Sequence, residues 1–165
     1  MYLHSDMTKV LRRIPWFVDL TQTQLDNLAS IMTPHEVEVG EVLFHEGDRE
    51  DCLYILLEGQ MVLEVEVPTR GQVPVYTAEE LDVVGWSSMT PIVRQRTASA
   101  RATRPSVLLG FNNKLLQQFC DEDHELGYVI MRRLANVVAN RVLTTRLCLL
   151  EIIAQSAPQE PQVSR

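Results

Sequence analysis

The sequence predicts an α+β fold, with helices at the N-terminus, an antiparallel β-roll or jelly-roll barrel, and one long C-terminal dimerisation helix. Apolar residues recur at helical spacing at both ends of the 165-residue chain. Between positions 36 and 110 they alternate with polar residues, and glycines interrupt the pattern at turns. Short alternating strands separated by glycine turns are typical of antiparallel sandwiches and barrels. A chain of this length is large enough for one domain with a full core.

Two short helices are predicted before the first strand. The second is expected to run from Thr21 to Met32, with Asp19 or Thr21 as its cap, and to end at Pro34. The first is expected to break at Pro15, and its apolar positions are Val10, Leu11, Ile14 and Phe17.

The middle of the chain is predicted to form the barrel strands. Val37 and Val39 alternate with glutamates, and a similar alternation runs from Met61 to Val67. Cys52 to Leu57 is almost continuously apolar, which predicts a strand buried on both faces. The predicted turns contain Gly40, Gly47, Gly59, Gly71, Gly85 and Gly110.

The last third is predicted to be helical. A short amphipathic helix is expected from Phe111 to Phe119, followed by a long helix from about His124 to about Ile153 with Asp121 or Asp123 as its cap. Residues 1–154 then form one domain, and the polar residues 155–165 form a disordered tail.

The long helix carries two apolar stripes, of which a single barrel can cover only one. The stripe expected to pack on the barrel comprises Ile130, Leu134, Val137, Leu147 and Leu150. The other is expected to pair with a second copy in a parallel homodimer. Its predicted interface residues are Met131, Val138, Val142, Thr145, Leu149 and Ile152.

Composition limits the class of function. The net charge of −7 disfavours direct DNA binding, and no apolar run approaches the roughly 20 residues of a membrane helix. Met1 to Asp6 lacks the apolar core of a signal peptide. The three cysteines, Cys52, Cys120 and Cys148, lack metal-ligand spacing. We therefore expect a cytoplasmic protein that has reduced thiols, binds no metal or cofactor and does not associate with membranes.

One stretch has the residue types of an anion site. Gly85 allows a tight turn, and Ser87 and Ser88 are expected to begin a short helical turn with outward N–H groups. Arg96 supplies a charged fork for a phosphate or carboxylate, and Thr97 adds a hydroxyl. The alternatives are serines that only cap a helix and a surface arginine at a strand end. If the stretch holds an anion, Arg96→Ala is expected to remove that binding with little loss of fold, because an arginine at a strand end contributes modestly to stability.

The chain resembles the effector domain of the cyclic-nucleotide-binding superfamily, shared by the catabolite-activator-type bacterial regulators, from about Thr8 to Ile153. The resemblance rests on an ordered run of segments: Leu11 to Phe17, Gly40 to Phe44, Glu46 to Asp48, Asp51 to Leu56, and Gly59. The family's phosphate-binding cassette has Gly-Glu, then after a fixed gap Arg, Ser or Thr, and Ala. Gly85, Arg96, Thr97 and Ala98 match that pattern.

Three departures from the family pattern limit what the resemblance implies. Trp86 replaces the cassette glutamate that holds the ribose hydroxyl in the family, and it is expected either to fill the pocket or to stack on a planar ligand. The positions that contact adenine fall on Val137 and Val138. The helix-turn-helix domain of the transcription-factor members has no counterpart after the long helix, so we expect a stand-alone domain.

These observations favour a non-enzymatic sensor that binds a phosphate-bearing or other small anionic ligand and signals through a protein partner. The ligand residues are then Gly85, Trp86, Ser87, Ser88, Arg96, Thr97, Val137 and Val138. The alternative is a degenerate domain that binds no nucleotide and serves as a dimeric interaction scaffold. An enzyme is disfavoured because the sequence offers no nucleophile–base pair and no metal set. Cyclic AMP is expected to bind weakly or not at all.

Overall fold

A computed structural model describes residues 4–49, 51–90, 93 and 95–156 of the chain. It has N-terminal helices, two four-stranded antiparallel sheets that form a β-roll, and a long C-terminal helix, so the predicted α+β class is confirmed. Among the described residues, no helix combines the length and apolarity needed to cross a membrane.

The N-terminal helices are α1, His4–Arg12, and α2, Gln22–Ile31, with a 3-10 turn at Pro15–Phe17 between them. Thr21 caps α2. Its hydroxyl accepts a hydrogen bond from the Gln24 N–H at 3.3 Å, while its own N–H donates to the Gln24 side chain at 2.9 Å. This reciprocal pair satisfies two helix N–H groups that otherwise lack partners.

Eight strands form the roll: β1 Met32–Val37, β2 Val42–Phe44, β3 Cys52–Glu58, β4 Met61–Val67, β5 Gly71–Ala78, β6 Val83–Val84, β7 Ser99–Ala102 and β8 Ser106–Asn112. One sheet has the order β1-β8-β3-β6 and the other β2-β7-β4-β5. Helix α2 ends at Ile31, one residue before the predicted end at Met32, but Pro34 is not the residue that stops it, because Pro34 pairs with Leu109 inside β1. That strand lies at a sheet edge, where a residue without an N–H is tolerated.

The core consists of two clusters, which β3 separates. Leu53 and Ile55 face a helical cluster, whereas Tyr54 and Leu56 face a roll cluster, as the alternation of side chains along a strand requires. All four are buried, which confirms the prediction for this strand. Besides β3, the helical cluster includes Leu11, Phe17, Leu25, Leu28, Phe111, Leu126, Ile130 and Leu134. The roll cluster includes Phe44, Met61, Val84, Ala100, Ala102 and Leu108.

The C-terminal helices are α3, Asn113–Glu122, and α4, His124–Ser156. The short helix begins later than predicted, because Phe111 and Asn112 end β8. Asp123, rather than Asp121, caps α4 by accepting a hydrogen bond from the Leu126 N–H at 3.0 Å. This bond lowers the pKa of the Asp123 carboxyl, and a second bond from the Gln24 side chain acts in the same direction. The helix continues two residues past the predicted boundary at Ala154, and the rest of the predicted tail, 157–165, lies outside the described residues.

The first half of α4 packs on the body of the domain, and the second half does not. Ile130 and Leu134 are buried, and Val137 packs beside them on the helical cluster. Leu147 and Leu150 are 52% and 51% exposed, so the prediction that they also pack on the barrel is wrong. The predicted interface residues Met131, Val142, Thr145 and Leu149 are exposed, and Val138 and Ile152 are half-buried.

Candidate functional site

The turn at Gly85 joins the short edge strand β6 to a 3-10 turn at Trp86–Met89. Gly85 has a φ of +79°, in the left-handed region that side-chain-bearing residues rarely adopt. The Ser88 N–H donates to the Gly85 carbonyl at 3.3 Å and closes the turn. The tight turn and the helical turn predicted from the sequence are therefore both present.

The Arg96 side chain lies inside the roll next to this turn. Only 2% of Arg96 is exposed, so the expectation of a surface arginine at a strand end is wrong. Its two terminal nitrogens each donate at 2.7 Å, Nη1 to the Gly85 carbonyl and Nη2 to the Cys52 carbonyl. The guanidinium carbon also lies 4.2 Å from the centroid of the Phe44 ring and 5.7 Å from that of Tyr54. Aromatic faces stabilise a cation in this position.

The main chain of Arg96 is also held by the loop that follows β2. Its N–H donates to the Asp48 carbonyl at 2.8 Å, and its carbonyl accepts from the Gly47 N–H at 2.9 Å. Because both ends of the residue are fixed, its side chain starts from a defined point and reaches the turn at Gly85.

Ser88 converges on the same two carbonyls as Arg96. Its hydroxyl oxygen lies 3.1 Å from the Cys52 carbonyl oxygen and 3.0 Å from that of Gly85. The Asn113 side chain donates to the Ser88 carbonyl. Ser87 is buried, and its carbonyl accepts hydrogen bonds from the N–H and hydroxyl of Thr90. In this arrangement the Ser88 hydroxyl and the Ser87 carbonyl hold the turn together, but neither serine caps it, because Gly85 occupies the N-cap position.

The absence of a side chain at position 85 makes this packing possible. A Cβ placed on Gly85 would lie 2.2 Å from Nη1 of Arg96, far inside van der Waals contact. The glycine therefore serves two purposes, since it permits the positive φ and admits the guanidinium.

Thr97 is exposed. The sequence analysis missed a buried hydroxyl two residues later, at Ser99. Ser99 is 6% exposed, and its oxygen accepts a hydrogen bond from the Glu46 N–H at 2.9 Å. The sequence shows that Ser99 lies in a run of small residues, which forms β7. It does not show that Ser99 pairs with Glu46 on the loop that follows β2.

Trp86 and Val137 lie on the helical side of the domain. Both are partly buried and pack against the helical cluster, which agrees with Trp86 as a packing residue. Arg141 on α4 contacts both β5 and β6, and the sequence analysis did not single it out. The only available signal was an arginine within the apolar run Val137 to Leu143.

Tyr76 on β5 supports Arg141. The Tyr76 hydroxyl donates to the Asp82 carboxylate at 2.8 Å, and the guanidinium carbon of Arg141 lies 3.2 Å from the centre of the Tyr76 ring. Burial raises the pKa of the Tyr76 phenol, and Asp82 raises it further, whereas Arg141 lowers it.

A surface cleft and a half-buried cysteine lie apart from this site. A cleft of about 460 Å³ runs between Asp19–Gln24 and the first turns of α4, and none of the predicted ligand residues lines it. Within the described part of the chain, no group of three or more His, Cys, Asp or Glu side chains is placed to hold a metal ion. Cys120 is half-buried, and burial, with Asp121 and Asp123, raises the pKa of its thiol to about 11.

Residues 34–123 match the family model described as the cyclic nucleotide-binding domain. The match covers more than half of the chain, and the chain belongs to this family. Its members are typically non-catalytic sensor and regulatory domains that bind small ligands.

Solved structures support the same assignment. A protein of the cyclic nucleotide-binding type from Geobacter metallireducens shares 30% identity, with a TM-score of 0.72, over 82% of this chain and 97% of its own. The sensor domain of the transcriptional regulator DNR from Pseudomonas aeruginosa shares 20% identity, with a TM-score of 0.72, over 86% and 95%. The regulatory subunit of a cAMP-independent protein kinase A from Trypanosoma brucei shares 19% identity, with a TM-score of 0.68, over 81% and 47%. Comparison with curated protein sequences found no match.

Proposed function

We propose that this domain is a non-enzymatic sensor that binds a small anion, phosphate-bearing or otherwise, at the Gly85 turn and signals through a protein partner. The observation that carries the proposal is the position of the Arg96 guanidinium, which is buried beside the turn and bonded to the carbonyls of Gly85 and Cys52.

The guanidinium is suited to an anion because it stays charged when buried. In the described contacts its terminal nitrogens donate to neutral carbonyls. A hydrogen bond to a charged acceptor is roughly twice as strong as one to a neutral acceptor, and an arginine can offer two parallel bonds to a phosphate or carboxylate. An anion at the turn would therefore form stronger hydrogen bonds with Arg96 than these two carbonyls form.

Cyclic AMP is a poor candidate for this ligand. Trp86 stands where a carboxylate would hold the ribose hydroxyl, and its indole packs on the helical cluster. Val137 packs on the same cluster and has no polar group to read a base. A buried hydroxyl without a partner costs about 1–3 kcal/mol. The Trypanosoma brucei kinase subunit shows that a similar fold occurs in a cAMP-independent protein.

Calorimetry with inorganic phosphate tests the anion site. Arg96→Lys keeps the charge but loses the fork, so it should weaken phosphate binding about tenfold. Arg104→Lys, at an exposed position between β7 and β8, is the matched control and should bind as the parent does. A crystal grown in high sulfate with no anion at the turn and Arg96 still on both carbonyls would overturn the proposal.

We also propose that the sensor is a parallel homodimer through α4. Val142 and Leu149 are 64% and 54% exposed in the single chain, and pairing of two helices would bury them. Val142→Glu places unpaired charges in that seam and should give a monomer in sedimentation, whereas Asn140→Glu, at an exposed position on the same helix, should not. Sedimentation of the parent as a monomer at micromolar concentration would contradict this part.

The second candidate is a dimeric scaffold that binds no ligand. It is favoured by the closure of the turn, where Ser88 and Arg96 converge on the Gly85 and Cys52 carbonyls. A thermal-shift screen of nucleotides and organic anions separates the two candidates, because a ligand that binds only the folded state raises the melting temperature.

A further inference from the structure

Arg141 marks the point where α4 leaves the body of the domain. It is 8% exposed, whereas the next two residues, Val142 and Leu143, are 64% and 55% exposed. Within the described chain it is the last buried residue of the helix. Whatever holds Arg141 therefore sets the direction of the segment 142–156.

Two strands hold the Arg141 side chain. Its Nη2 donates to the Val83 carbonyl on β6 at 2.9 Å. Its guanidinium lies over the ring of Tyr76 on β5, and the Tyr76 hydroxyl is fixed by Asp82. The Nε of Arg141 is buried without a hydrogen-bond partner among the described residues, so its described contacts depend on these two strands.

The strand that Arg141 holds is the one that leads into the candidate anion site. Arg141 bonds the carbonyl of Val83, and Arg96 bonds the carbonyl of Gly85 two residues later. Two arginines from different parts of the chain thus hold neighbouring carbonyls of one short segment.

This segment is short and lies at the edge of its sheet. β6 has two residues, and among the described strands it pairs only with β3. A group that draws Arg96 away from the Gly85 carbonyl removes one of the contacts that fix this segment. The Val83 carbonyl of the same segment is the acceptor for Arg141 on the helix.

We propose that Arg141 is a positioning residue that couples the Gly85 turn to the direction of α4 beyond residue 141. The proposal rests on the proposed function, in which an anion binds at that turn. It adds the residue through which occupancy of the turn reaches the predicted dimerisation segment.

Amide hydrogen exchange of residues 142–156 in the full chain, with and without inorganic phosphate, measures this coupling. In the parent, phosphate should change exchange in this segment about threefold or more, and Arg141→Met should abolish the response while its phosphate affinity stays within about threefold of the parent. Arg132→Met, the same change at an exposed position on the same helix, should keep the response. Arg141→Lys should restore part of it, because an ammonium still donates to the Val83 carbonyl. An Arg141→Met protein that binds phosphate and keeps the full response would overturn the proposal.

A double-mutant cycle measured in the absence of ligand separates this proposal from the proposed function. The effects of Arg96→Lys and Arg141→Met on exchange of residues 142–156 should be non-additive by about threefold or more, as for residues that act through a shared element. Additive effects would overturn the coupling whether or not any anion binds. A parent that binds no phosphate but shows the non-additive effect would overturn the proposed function alone.

Discussion

The predicted ligand site has an anion half and a nucleoside half, which differ in what their side chains contact. In the anion half, Ser88 and Arg96 direct their polar groups to main-chain carbonyls at Cys52 and Gly85. In the nucleoside half, Trp86 and Val137 pack on the helical cluster and offer no carboxylate. The difference supports the proposal that the turn at Gly85 binds an anion, whereas the side chain at position 86 packs against the core.

The anion half holds together without the nucleoside half. Its partners are main-chain atoms of β3 and of the turn, which any side chain at position 86 leaves in place. Four substitutions test whether the two halves are independent. In order of decreasing expected effect, they lie at Arg96, Gly85, Trp86 and Tyr76.

Removal of the Arg96 guanidinium should cost the most stability. Arg96→Met leaves the carbonyls of Gly85 and Cys52 without this donor inside the domain, and should lower the free energy of unfolding by about 3 kcal/mol. Urea denaturation measures the loss, with the exposed Arg104→Met as the control. A loss below about 1 kcal/mol would place the guanidinium at the surface in solution, as in the alternative interpretation of the sequence.

A methyl group at position 85 should disturb the same contacts, because it would occupy the space of the Arg96 guanidinium. Gly85→Ala should cost about 2 kcal/mol, because it combines a left-handed backbone with a Cβ 2.2 Å from Nη1 of Arg96. Gly71→Ala is the matched control, since Gly71 has a φ of +76° and no atom lies within 4 Å of the point that its Cβ would occupy. It should cost only the backbone strain, about 1 kcal/mol. Equal losses at the two sites would show that Arg96 does not occupy the space beside Gly85.

A carboxylate at position 86 should restore part of the nucleoside half. Trp86→Glu should strengthen cyclic AMP binding about tenfold, because it provides an acceptor for the ribose hydroxyl. Trp86→Gln removes the indole without adding the charge, so a comparable gain in that variant would mean that the indole only blocked the pocket. Calorimetric titrations of the three proteins measure the difference.

Tyr76 should make a small pH-dependent contribution. Its phenol has a pKa above the ordinary value of 10.0, so the protonated form favours folding. That stability is complete below pH 10.0 and is lost as the pH rises towards the higher pKa of the folded state. Between about pH 8 and about pH 11 the parent should therefore lose more free energy of unfolding than Tyr76→Phe. Parallel losses in the two proteins would show that burial does not raise the pKa of the Tyr76 phenol in solution.

The parts of the fold that depend on local sequence were predictable. The left-handed turn at Gly85, the cap at Asp123 and the length of α4 follow from glycine, a carboxylate before a helix and a continuous apolar period. Pro34 was misjudged because a strand at a sheet edge tolerates it, and only the strand order reveals the edge.

The contacts that define the pocket were not predictable in the same way. The direction of the Arg96 side chain is set by carbonyls 11 and 44 residues away in sequence, and no local pattern encodes them. The rotation of α4 about its axis places Arg141 against the Val83 carbonyl and Val137 against the helical cluster, and that rotation depends on tertiary packing.

Calorimetric titration of the unmodified protein with cyclic AMP and, separately, with inorganic phosphate decides whether the anion half is kept and the nucleoside half is lost. If both statements hold, inorganic phosphate should bind, and the sugar and base of cyclic AMP should add no binding affinity. We therefore expect cyclic AMP to bind no more tightly than inorganic phosphate. A cyclic AMP dissociation constant in the low micromolar range or tighter would contradict this expectation.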